Sequence, residues 1–128
     1  MRMLLDTHSF LWFILDSPRL SASGKRLLED AENERFLSTV SLWEIAIKIS
    51  TGKLSFEQPF EGFIVDQIRI NEFELLETRI QHFAAVATLP LHHRDPFDRL
   101  LIAQAMTESL PIVSVDAAFD AYPIQRLW

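Results

Sequence analysis

The segment His92-His93-Arg94-Asp95-Pro96-Phe97-Asp98-Arg99-Leu100-Leu101-Ile102-Ala103-Gln104-Ala105 constrains the fold more than any other part of the chain. It reads as a loop that turns into a buried helix. Asp95 is a strong N-cap, and Pro96 at the first helical position sacrifices no hydrogen bond there. Phe97, Leu100, Leu101, Ala103 and Ala105 wrap most of the helix in apolar surface, as in a helix packed into a core. Asp98 sits in the first turn of that helix. An acid there complements the helix dipole and the free backbone N–H groups, which is the ordinary explanation. Three other acids share the setting. Asp6 ends the apolar run Met3-Leu4-Leu5, Glu44 lies inside Val40-Ser41-Leu42-Trp43-Glu44-Ile45-Ala46-Ile47, and Asp116 ends Ile112-Val113-Ser114-Val115. Four acids at strand ends or helix starts, each bordering core, point to one shared site.

The rest of the chain alternates between strand and helix patterns. Arg2 to Leu5 reads as a buried strand and Thr7 to Leu15 as a helix, broken at Ser17-Pro18. Ser21 starts a second helix through Ala31, and Arg35 to Ser38 is a second strand. Ser41-Leu42-Trp43-Glu44 has capping-box spacing, which predicts a helix from Ser41 to about Ser50, stopped by Gly52. Phe60 to Ile70 carries apolar residues at helical spacing. Phe73 to Leu76 alternates like a short strand, and Thr78 to Ala87 is helical. After the helix that runs to about Ser109, Ile112 to Val115 is a strand, and Gln125 to Leu127 adds an edge strand. The expectation is an α/β fold, one domain over residues 1–128, with a central, mainly parallel sheet flanked by helices. In such sheets the ligand crevice lies beyond the carboxyl ends of the strands. Asp6 and Asp116 fall there, and the first turns carrying Glu44 and Asp98 share that edge.

Composition narrows the chemistry. At 128 residues and 48% hydrophobic, with three glycines, the chain supports a real core. It has no cysteine, which removes disulfides, zinc–thiolate sites and a cysteine nucleophile and fits a reducing compartment. The apolar run near the N-terminus is broken by Asp6 and His8 and is too short for a signal core or a membrane span, so a soluble, cytoplasmic protein without membrane contact is expected. The net charge of −6 argues against a generic electrostatic nucleic-acid binder. It is compatible with a nuclease whose acids bind cations, because bound divalent ions reverse the local field.

Carboxylates gathered in one cleft repel. Two unit charges about 4 Å apart cost roughly 4 kcal/mol at an effective dielectric near 20. Such a cluster raises pKa values or binds cations. Oxygen-only ligation selects hard ions, Mg²⁺ or Mn²⁺. A divalent ion activates a water nucleophile and neutralises charge on a phosphoryl group, so phosphodiester hydrolysis is the implied reaction. Asp6 and Asp98 are the first choice as direct ligands. Glu44 and Asp116 complete the set directly, through water or at a second metal. Thr7 and Ser114 are candidates to orient water, against the commoner readings of helix cap and strand residue. Arg94 and Arg99 flank the acids and are candidates to hold a phosphate, with surface ion pairing the plain alternative. His8, His92 and His93 lack metal-ligand spacing with one another and read as loop or surface residues. Trp12 and Trp43 read as core or interface.

Four segments carry a family resemblance. Leu4-Leu5-Asp6-Thr7-His8, Val40 to Lys48, Arg94 to Ala105 and Val115-Asp116-Ala117-Ala118-Phe119 together resemble the PIN-domain family, and most of all the VapC-like toxins of bacterial type II toxin–antitoxin modules. The resemblance spans the whole chain in order, and its long third motif is the most specific. It implies a PIN-like α/β domain and a Mg²⁺- or Mn²⁺-dependent ribonuclease acting on single-stranded or looped RNA. Its acids map to Asp6, Glu44, Asp98 and Asp116. Asp95 is a fifth acid in this subgroup, with its cap role beside it. The resemblance further implies a homodimer, silenced by a co-encoded antitoxin and reaching operator DNA only through that antitoxin. One departure is Ser114, where many relatives carry Thr before the last acid.

Two other classes remain to be tested: a catalytically inactive binding module on the same fold, and a phospho-acceptor signalling domain. The second needs adjacent acids after the first strand and a Lys ending the last, and this chain has neither. The run Phe10 to Leu15 carries more apolar surface than one sheet face needs. The helices of Thr7–Leu15 and Ser21–Glu32 are therefore expected to receive a partner, such as an antitoxin helix.

Overall fold

Leu4 and Leu5 sit at the centre of the sheet, and their neighbours explain the architecture. In the computed structural model, which describes residues 1–128, five strands form one sheet: β1 (Arg2–Leu5), β2 (Glu34–Ser38), β3 (Glu74–Leu76), β4 (Ile112–Val113) and β5 (Arg126–Leu127). Their order is β3-β2-β1-β4-β5, and every pairing is parallel. Leu4 is in register with Phe36 and Ile112, and Leu5 with Leu37 and Val113. The side-chain alternation of strands sends the first set to one face and the second to the other. Leu4, Phe36 and Ile112 pack with Leu101, Ile102, Ala105 and Phe119. Met3, Leu5, Leu37 and Val113 pack with Phe10, Leu28, Ile45 and Phe73. Both faces are covered, as a parallel sheet requires, and this is why the strands read as continuous apolar runs.

Six helices supply the cover: α1 (Thr7–Ile14), α2 (Ala22–Glu29), α3 (Thr39–Ser50), α4 (Phe60–Ile70), α5 (Ile80–Ala87) and α6 (Pro96–Glu108), with a 3-10 turn at Ala117–Ala121. None is long and apolar enough to cross a membrane. Asp95 caps α6 as its spacing predicts, accepting the N–H groups of Phe97 (2.8 Å) and Asp98 (3.2 Å).

The start of α3 corrects the capping-box expectation. The cap is Ser38, whose Oγ accepts the Val40 N–H at 3.0 Å, so Ser41 and Glu44 lie inside the helix. The chain leaves β2 directly into α3, and Ser38 is both the last strand residue and the cap. The far end of α3 follows expectation. Gly52 takes φ +75°, its N–H donates to Ile49 O, and the Lys53 N–H donates to Lys48 O, closing a Schellman motif. Two helices are shorter than their patterns suggest. α2 stops at Glu29 because Asp30 leaves the helix and its carboxylate accepts the Glu32 N–H. α5 starts at Ile80, after the Arg79 N–H has donated to His82 Nδ1. Trp43 is not core: it is 60% exposed and packs edge-on against Phe97.

Candidate active site

The strand order reverses between β1 and β4. The chain runs outward from β1 through β2 to β3, then returns to the other side of β1 for β4 and β5. Loops leaving two such strands diverge and open a crevice beyond their carboxyl ends. Asp6 follows β1 at this point. Its N–H donates to Val113 O (3.1 Å), and its Oδ1 accepts the Ser9 N–H (2.8 Å), which makes it the N-cap of α1. The residue is 4% exposed. Burial pushes its carboxyl up from the ordinary range, while bonds from Ser114 and Ser9 pull the other way.

Glu44 reaches the same place from α3 and is 7% exposed. Its Oε1 accepts from Thr7 Oγ1 at 2.7 Å, and its Oε2 lies 3.1 Å from Lys48 Nζ, one turn along the helix. Asp98 enters from the first turn of α6. Its carboxyl is pushed up to about 7, first by burial and then by the neighbouring charges of Asp95, Glu44 and Asp6, with His93 opposing. Asp98 therefore lies within the field of both Glu44 and Asp6. Asp116 is more open, with 43% of its side chain exposed. Its Oδ1 caps the 3-10 turn by accepting the Ala118 N–H (2.9 Å), and its Oδ2 faces His93 Nε2 at 3.2 Å. His93 Nε2 is also 3.2 Å from Asp98 Oδ2. Ligand atoms of His93, Asp98 and Asp116 all lie within 4.8 Å of one another.

The supporting residues divide clearly. Thr7 is not the cap of α1. It follows the cap, is buried, and holds Glu44 while lying 3.0 Å from Ser41 Oγ. Ser114 is fully buried; its Oγ accepts the Asp116 N–H (3.0 Å) and lies against Asp6, so it links the acids after β1 and β4. Arg99 directs its guanidinium at four backbone carbonyls, those of Val86, Leu89, Pro90 and His93. That commits it to bracing the loop before α6, in place of the phosphate or ion-pair roles its position suggests. Arg94 is exposed. His92 is exposed as expected, and His8 is exposed beside Trp12. His93 is the residue the sequence does not reveal. No spacing marks it, because its direction is set by the path of the loop.

A family model described as "PIN domain" matches residues 3–125. The chain belongs to the PIN-domain family. Members of this family are generally nucleases that use divalent metal ions. No curated protein matches the chain in sequence. Among solved structures, this PIN domain is similar to VapBC2 from Rickettsia felis bound to a promoter DNA fragment, with TM-score 0.74 and 17% identity over 99% of this chain and 98% of that one. It is similar to FitAcB from Neisseria gonorrhoeae, with TM-score 0.71 and 18% identity over 100% and 97% of the two chains. It is also similar to DNA-bound VapBC from Salmonella typhimurium, with TM-score 0.72 and 18% identity over 99% and 97%. At these identities the likeness is one of fold.

The donor set of this PIN domain suits a hard cation. Oxygen ligands from carboxylates, two of them on residues less than a tenth exposed, match what Mg²⁺ and Mn²⁺ require. The raised Asp98 carboxyl reflects burial first and acidic neighbours second, and a bound cation would offset both.

Proposed function

We propose that this PIN domain is a VapC-like toxin: a ribonuclease dependent on Mg²⁺ or Mn²⁺ and silenced by a cognate antitoxin. The observation that carries this reading is the convergence of Asp6, Glu44 and Asp98 at the crevice between β1 and β4, with Asp98 raised to about 7 by burial and by its acidic neighbours. Asp6 and Asp98 would hold the ion, with Glu44 and Asp116 completing the site. The ion would supply charge neutralisation at the phosphoryl group and activation of the attacking water. The chain's own residues do the arranging. Asp6 is fixed by the Ser9 N–H, Thr7 keeps one Glu44 oxygen turned inward, and Asp95 fixes the start of the helix that presents Asp98. Lys48 offsets part of the cluster's charge at Glu44.

The partner reading has a physical basis too. The core takes Phe10 and Leu11 of α1, packs Trp12, Phe13 and Ile14 at its edge, and leaves Leu15, just after the helix, exposed. Ile14, Leu15, Phe56 and Phe63 border a groove of about 420 Å³. That groove suits an antitoxin segment with an apolar face, and the similar solved proteins include members of the VapBC family of toxin–antitoxin systems, two of them bound to DNA. Contact with operator DNA would come through the antitoxin, since the chain itself carries a net charge of −6. Self-association into a homodimer belongs to the same proposal.

The test is RNA cleavage by the purified chain freed of any partner. Cleavage should require Mg²⁺ or Mn²⁺, stop in EDTA and resume when Mn²⁺ is added in excess. Cleavage undiminished by EDTA would remove the metal from the proposal. A folded chain that binds RNA and never cuts it would make this an inactive binding module.

A further inference from the structure

We propose that His93 is a positioning residue of the acidic site: its Nε2–H bonds the Asp116 carboxylate and holds it beside that of Asp98 for one cation, without itself ligating that cation. The inference rests on the metal-site reading above. It starts from the tautomer. His93 Nδ1 accepts the Asp95 N–H at 3.2 Å. A ring nitrogen that accepts carries no proton, so the ring proton is on Nε2. Nε2 lies 3.2 Å from Asp98 Oδ2 and 3.2 Å from Asp116 Oδ2. The Nε2–H points its hydrogen bond at Asp116, and Asp98 sits in close contact beside it. Ligation through Nε2 would need the proton on Nδ1, head-on to the Asp95 N–H. The trio therefore has the outline of a His–Asp–Asp metal site, while its histidine is committed as a donor to one of the two carboxylates.

The fold holds this ring from several sides. It stacks on Phe119, with centroids 5.7 Å apart. Tyr122 Oη accepts the N–H groups of His92 (3.0 Å) and His93 (2.8 Å) and donates to Pro90 O (2.8 Å). Arg99 donates to the carbonyls on either side of this turn, including His93 O at 3.3 Å. Only 13% of the His93 side chain is exposed. Asp116 has no comparable support. Apart from His93, its carboxylate bonds only the Ala118 N–H, through Oδ1. The bond to His93 is what ties the acid after β4 to the acid of α6. Each carboxylate oxygen has two lone pairs, so accepting one N–H leaves room for a cation. His82 uses the same chemistry away from the site, with Nδ1 accepting the Arg79 N–H and Nε2 facing Glu108 Oε1 at 2.9 Å.

Hydrogen bonds to ligating groups orient them, and losing one typically costs about 10–100-fold in metal affinity. The experiment is a Mn²⁺ titration followed by EPR on the full chain, for the parent, His93→Phe and His93→Gln, with melting measured without metal. His93→Phe keeps an aromatic ring against Phe119 and removes the donor; it should melt near the parent and bind Mn²⁺ roughly 10–100-fold more weakly. His93→Gln restores an N–H and should recover most of the affinity. Pulsed EPR of the Mn²⁺-loaded parent should show no coupling to a histidine nitrogen, a readout that needs no variant. Nitrogen coupling would make His93 a ligand and overturn the assignment. Parent-like affinity in His93→Phe would overturn it as well, and so would equal losses in the Phe and Gln variants. A parent that binds no Mn²⁺ would remove the metal-site reading itself, and this inference with it.

Discussion

Glu44 bonds to no backbone N–H. Its oxygens go to Thr7 Oγ1 and to Lys48 Nζ, and on the proposed reading the side chain serves the site by its charge. Glu44→Gln keeps an oxygen for Thr7 and removes that charge. The fold should persist, and melting should stay near the parent's. Cleavage of RNA in Mg²⁺ or Mn²⁺ should fall by about a hundredfold or more, the order seen when one electrostatic group of a transition state is lost. A variant that cuts at the parent's rate would take Glu44 out of the site. Sequence alone offered a second job for this residue beside the acidic site, because Ser41 and Glu44 have the spacing of a capping box. Spacing reports only that a box is sterically available. Which residue caps is decided by where the strand ends, and β2 ends at Ser38. His93 was illegible for a related reason: its role comes from atoms on α6 and beyond β4, which no local pattern brings together.

At the scale of elements, the junction from β2 to α3 sets the angle at which Glu44 enters. Ser38 Oγ accepts the Val40 N–H and donates to Gln104 Oε1, while Gln104 Nε2 is buried with no partner. Ser38→Ala should remove a cap worth about 0.5–2 kcal/mol. It also leaves a second buried atom of Gln104 unpaired, which costs about 1–3 kcal/mol. Ser41→Ala removes no cap and should cost less. Urea unfolding of the two variants separates them, and equal losses would contradict Ser38 as the cap. The strands and α-helices were all legible as elements, because the sheet is buried on both faces and each strand is a short apolar run between helices; the 3-10 turn at Ala117–Ala121 was not, since one short turn has no periodicity to read. The ends were less so. Asp30 stops α2 by bonding its own backbone, and Arg79 spends its N–H on His82; such side-chain competition does not show in hydrophobic periodicity. The orientation of α6 was legible down to its cap, since Asp95 and Pro96 leave the helix one place to start.

For the whole molecule, the acidic site is a cost to the metal-free fold. Asp98 ionises at about 7 when folded, against 3.8 for an ordinary aspartate. Between those values the folded chain binds more protons than the unfolded chain, so stability falls as pH rises through this window and levels off above it. A displacement of this size corresponds to a few kcal/mol at most, since about 1.4 kcal/mol accompanies each tenfold change in proton affinity. Asn at this position cannot ionise. Asp98→Asn should therefore be more stable than the parent at pH 8 without metal, and the gap should narrow toward pH 4. A cation bound only by the native state reverses the order, because it stabilises the parent by mass action and finds no full site in the variant. Thermal melting of both proteins at pH 8, with and without saturating Mn²⁺, reads this directly. The account predicts that Asp98→Asn melts above the parent without Mn²⁺, that Mn²⁺ raises the parent, and that the variant stays where it was. A parent whose melting temperature is unmoved by Mn²⁺, or a variant that rises as far as the parent, would contradict a cation site built on these acids.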